Sequence, residues 1–140
     1  MRKRFETAFS ALLGILLITL ACLAFMPWPM ENVVEGADSV KGGIVVRYEN
    51  QNYNIAYPDD AEIELIAETL TSSVGYFDRN RSSFVYDSHV PLYRIYLWNE
   101  EERIPEIWVS GEELFYDQSQ FVLDKTDAVT INAVLASCFS

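Results

Sequence analysis

The sequence predicts an α+β protein: an N-terminal transmembrane helix followed by a two-layer domain of antiparallel sheet with two helices, in the order β-β-α-β-β-β-α. Three observations predict it. The stretch Ala8 to Met26 runs nineteen residues without a charge. Short segments rich in β-branched and aromatic residues alternate with period two. Two further stretches carry apolar residues at helical spacing. Two amphipathic helices cannot bury their stripes alone, and an antiparallel sheet with one apolar face supplies the surface they need.

Residues 1–7 form a basic head with Arg2, Lys3 and Arg4, and 8–26 the apolar helix. At 1.5 Å per residue that helix spans about 28 Å, near the roughly 30 Å of a bilayer's hydrocarbon core. Pro27-Trp28-Pro29 ends it with an interfacial aromatic. The positive-inside tendency keeps the head in the cytoplasm and puts the C-terminal domain outside, in a single-pass cell-membrane protein. A cleaved secretory signal is one alternative, but its apolar core runs to about 7–15 residues and its cleavage site is small-x-small. The run here is longer, and Cys22-Leu23-Ala24 matches such a site poorly. A lipoprotein with lipid on Cys22 is the other; there the chain usually turns polar after the cysteine, whereas this one stays apolar through Met26.

Residues 27–42 read as a juxtamembrane tether, and 43–140 as one extracytoplasmic domain. Ile44, Val46 and Tyr48 alternate with Val45 and Arg47, and Tyr53, Ile55 and Tyr57 with Asn54 and Ala56. The polar cluster 49–52 between them makes a hairpin. Pro58 stops the second strand. Asp59 then caps a helix, with Glu62 in the capping-box position. Ile63, Ile66, Ala67, Leu70 and Val74 form its apolar stripe, and Gly75 is placed as its C′ residue. Asp78 to Ser83 reads as a loop and Phe84-Val85-Tyr86 as a short strand. Leu92 to Trp98 is a strong strand, with Tyr93, Ile95 and Leu97 on one face and Arg94 and Tyr96 on the solvated one. A turn at 99–103 carries Glu100-Glu101-Glu102. Ile107-Trp108-Val109 and Leu114-Phe115-Tyr116 follow as strands about a turn at 110–112, with Phe121-Val122-Leu123 one more short run. Thr126 is the expected N-cap of the closing helix, with Asp127 in its first turn and Ile131, Val134, Leu135 and Cys138 on its stripe.

The order of elements, together with Tyr53-x-Ile55-x-Tyr57-Pro58-Asp59-Asp60, resembles small membrane-anchored extracytoplasmic domains of unknown function from Gram-positive bacteria. In those a strand ending in proline and acidic residues leads into a helix. The resemblance covers roughly residues 43–139. It implies the membrane address and the fold, and brings no catalytic residues.

Residues 31–140 hold seven basic and twenty acidic side chains, a formal charge of −13. Long-range repulsion argues against nucleic acid and anionic lipid as partners. Cys22 and Cys138 are too differently placed for an intradomain disulfide. Asn80-Arg81-Ser82 matches the N-glycosylation pattern. His89, the one histidine, has no cysteine nearby, and no nucleophile-elbow pattern surrounds Ser82, Ser83 or Ser88 beside Asp87. Asp59-Asp60-x-Glu62 and Glu100-Glu101-Glu102 lack calcium-loop spacing, and no His/Cys set gives zinc. No catalytic, metal or cofactor residue is therefore expected. The aromatics remain: if Tyr96, Trp98 and Trp108 share an exposed face, that face is a partner-contact surface. The expected function is a non-catalytic binding or accessory domain anchored in the membrane, with a membrane protein or envelope component as partner. An envelope-acting enzyme with an unrecognised carboxylate pair is the alternative.

Overall fold

The structure, a computed structural model, describes residues 2–77, 89–100 and 102–140. Helix α1, Arg2–Phe25, is continuous. It takes in the basic head as well as the apolar run, and its Arg2–Cys22 stretch is long and apolar enough to cross a membrane, with none of it buried against the protein. The hydroxyl of Thr19 donates to the Ile15 carbonyl at 2.8 Å, so that polar group inside the apolar run is satisfied within the helix.

The domain is α+β, built on one eight-stranded antiparallel sheet. Its strands are β1 (Pro27–Pro29), β2 (Gly42–Glu49), β3 (Asn52–Ala56), β4 (Val74–Phe77), β5 (Leu92–Trp98), β6 (Ile107–Ser110), β7 (Glu113–Tyr116) and β8 (Ser119–Leu123). They lie in the order β1-β4-β8-β7-β6-β5-β2-β3. A short helix α2, Met30–Val33, follows β1, and a 3₁₀ turn spans Ala37–Ser39. Helices α3 (Asp60–Ser72) and α4 (Lys125–Ser137) cover one sheet face. Period-two alternation sends Val45, Tyr93, Ile95, Leu97, Ile107, Val109, Leu114 and Phe121 into that core, where Ile63, Ile66 and Leu70 of α3 meet Ile131 and Leu135 of α4.

The β2–β3 hairpin forms as its alternation predicts. Its two-residue turn holds Asn50 and Gln51 at φ of 50° and 65°, the left-handed pair that matches strand twist. Asp117 and Gln118 repeat that geometry between β7 and β8. The capping box at α3 is complete: Asp59 accepts from the Glu62 amide at 2.8 Å, and Glu62 accepts from the Asp59 amide at 3.2 Å.

Four expectations are corrected. Residues 27–42 are no tether: β1 pairs with β4, Met30 and Val34 are buried, and the Met30 amide donates to the Ser73 carbonyl at 2.9 Å. Gly75 does not cap α3, which closes at Ser73. It lies in β4 opposite Trp28 and Leu123, where a side chain would meet the Met30 methyl at 2.9 Å. The closing helix starts two residues before the expected first turn, with Asp124 as cap accepting from the Thr126 amide at 3.2 Å. Asp127 does lie in the first turn, as expected, and it also accepts from the Val74 amide at 2.9 Å, tying α4 to β4. The sheet also gains β1 and β4, which no period-two run announced. The loop at 78–83, the strand at 84–86 and the glycosylation pattern at 80–82 lie outside the described residues.

Candidate binding face

The face of the sheet opposite α3 and α4 is built by the other half of the same alternation. In β2 it receives Ile44, Val46 and Tyr48; in β3, Tyr53 and Ile55; in β5, Leu92, Arg94, Tyr96 and Trp98; in β6 and β7, Trp108 and Phe115. Among the described residues no helix or strand packs over it. Tyr53 is 66%, Tyr57 75% and Trp98 39% exposed.

Two features share this face. Near the β3 edge, Ile44, Val46, Ile55, Tyr57, Tyr96, Trp98 and Arg103 line an open groove of about 510 Å³. Its walls are almost wholly apolar, with the Arg103 guanidinium 5.4 Å from the Tyr96 ring centre. The second feature is a polar knot centred on Arg94. Its guanidinium pairs with Glu106 and donates to the Tyr48 hydroxyl at 3.3 Å, and it lies 4.9 Å from the Trp108 ring centre. The Trp108 indole donates to Glu106 at 2.6 Å.

The knot is electrostatically self-consistent. Burial alone would raise the Glu106 carboxyl, but the hydrogen bonds from Arg94 and Trp108 outweigh it and hold Glu106 below the ordinary carboxylate range. The same Glu106 contact raises the Arg94 guanidinium further. A carboxyl with a depressed folded-state pKa contributes stability that is complete above its unfolded value and is lost as pH falls through the folded one. Glu106→Gln is therefore expected to cost about 1 kcal/mol at neutral pH, the pair being partly solvated. It should also flatten the loss of stability between the ordinary carboxylate range and the lower folded value. Urea unfolding of both proteins across that range measures this, and parallel curves would contradict the tie to Arg94.

Tyr96, Trp98 and Trp108 thus stand on one sheet face. Tyr96 and Trp98 line the groove; Trp108 stands beyond Arg94, in the knot. Sequence reasoning did not single out Ile44, Val46, Ile55, Tyr57, Arg103 or the Arg94–Glu106 pair. Arg94 was visible only as a solvated-face residue of β5, and Glu106 had no local signal. His89 lies in an exposed turn. Cys138 is half-buried at the end of α4, and burial, with Glu62 beside it, pushes its thiol up to about 11, so the thiolate is scarce at neutral pH. Ser82, Ser83, Asp87 and Ser88 lie outside the described residues. No protein-family model, curated protein or solved structure matches this chain.

Proposed function

We propose that the protein is a membrane-anchored extracytoplasmic binding domain without catalytic activity. Helix α1 is its single-pass anchor, with the N-terminus in the cytoplasm, and the partner is a membrane protein or an envelope component. The observation that carries this reading is the aromatic sheet face over which, among the described residues, no helix or strand packs. An exposed apolar patch of this kind marks a contact surface, and Trp, Tyr and Arg, the residues assembled here, dominate binding energy where proteins meet. A charge of −13 over residues 31–140 disfavours nucleic acid and anionic lipid as the thing contacted.

A photo-crosslinking amino acid at position 98, in the full-length protein in its own membrane, is expected to give one dominant adduct. The same group at Leu65, 46% exposed on α3 outside the core, should give none. Equal adducts from both positions, or none from 98, would refute the assignment of the face. Turnover by the purified protein, lost on changing one polar residue, would refute the non-catalytic part. A cysteine at Val129, 71% exposed, should react with a membrane-impermeant reagent on intact cells. Reaction only after lysis would reverse the orientation.

A further inference from the structure

We propose that the free edge of β3 is a strand-addition site for an extended segment of a partner polypeptide, apolar at alternate positions and basic at its ends. This rests on the binding-face reading and names what that face takes.

The two edges of the sheet are built differently. Edge strand β1 is three residues long and contains Pro27 and Pro29, which have no N–H to offer. Edge strand β3 runs five residues, Asn52–Ala56, without a proline or a charge. Proteins ordinarily blunt such an edge with one or the other. The register decides what β3 presents. The turn at Asn50-Gln51 makes Glu49↔Asn52 the first pair exchanging hydrogen bonds, and the antiparallel alternation makes Arg47↔Asn54 and Val45↔Ala56 the next. The amides and carbonyls of Tyr53 and Ile55 therefore face outward, and among the described residues none has a backbone partner. The side chains of these two residues stand on the face that holds the groove, which Ile55 and Tyr57 line. An added strand would place every second side chain beside Tyr53, Ile55 and Tyr57.

Charge selects the occupant. Carboxylates stand at both ends of the open edge: Glu49 at the turn, and Asp59 and Asp60 just past Tyr57 and Pro58. In an antiparallel pairing of two copies, Glu49 of each would approach Asp59 and Asp60 of the other, twice over by symmetry. A strand with lysine or arginine at its ends meets both clusters favourably.

The test uses the full-length protein in nanodiscs of neutral phosphatidylcholine, and a fluorescent peptide, Lys-Lys-Val-Thr-Val-Thr-Val-Lys-Lys, read by anisotropy. Methylating the peptide's amides along one edge should weaken binding by about tenfold or more, and along the other edge by less than about twofold. Glutamate in place of the lysines should weaken it by about tenfold at low salt. Ile55→Pro, which removes an outward N–H and leaves the β2–β3 ladder intact, should abolish it. If that variant does not fold, the two methylated peptides on the unaltered protein decide. Equal binding of both methylated peptides, or no binding of the parent peptide, overturns strand addition; the adduct from position 98 would still stand or fall by itself. A dimer that forms without peptide and is lost on Ile55→Pro overturns the choice of partner and gives the edge to a second copy.

Discussion

A chain beginning at Gly43 is expected to remain unfolded, whereas one beginning at Pro27 should melt cooperatively. The segment between them contributes strand β1 and three fully buried side chains, Met30, Val34 and Ala37. Truncating one buried Met, Leu or Ile to Ala costs about 2–5 kcal/mol. Losing three anchors and an edge strand together thus approaches the whole stability of a small domain, about 5–15 kcal/mol. It also uncovers Gly75, where the Met30 methyl fills the space a side chain would occupy. Far- and near-UV circular dichroism with thermal melts of the two truncations measures the effect. Equal cooperative melts would mean that residues 27–42 are dispensable after all. The consequence for function is geometric. With α1 ending at Phe25 and β1 starting at Pro27, the domain joins the apolar helix almost directly rather than through a tether sixteen residues long.

What the sequence disclosed and what it concealed follow one physical division. The capping box at Asp59 and Glu62, the β2–β3 hairpin and the alternation of β5 are set by neighbours within a few residues, and each can be read along the chain. The shared face of Tyr96 and Trp98 follows from that alternation. Adding Trp108 needs the β5–β6 register, which sets Arg94 opposite it. The burial of Met30, Val34 and Ala37 has no such local cause. Their i, i+4, i+7 spacing runs over only two turns and is broken at Gly36, too short to announce a helix, and what buries them is docking against β4 and α3. Gly75 misled for the same reason: after a helix it looks like a terminating residue, yet pairing with β1 and β8 makes it a strand residue under a methionine. The Arg94–Glu106 pair joins residues twelve apart through strand pairing. The groove takes residues from β2, β3 and β5 together, so no single segment announces it.

Gly42 and Gly43 should respond oppositely to the same substitution, because adjacent strand residues face opposite sides of the sheet. A Cβ at Gly43 would lie 2.7 Å from a Leu97 methyl, 2.8 Å from the Tyr96 carbonyl oxygen and 2.9 Å from an Ile63 methyl. The carbonyl belongs to the β5 backbone and cannot swing aside, so Gly43→Ala is expected to cost about 1–3 kcal/mol by overpacking the α3–sheet contact. The three atoms nearest a Cβ at Gly42 all belong to the Trp98 indole, at 2.6 to 2.9 Å. That ring is 39% exposed and has the groove beside it, so Gly42→Ala should displace Trp98 at a cost under about 1 kcal/mol. Fluorine NMR of protein labelled with fluorotryptophan separates the two, since the chain has three tryptophans. Gly42→Ala should shift one resonance strongly and leave the urea midpoint nearly unchanged; Gly43→Ala should lower the midpoint. If Gly42→Ala moved the midpoint as far as Gly43→Ala, the outer face would be as tightly packed as the core. A surface packed that way would have little room for a partner.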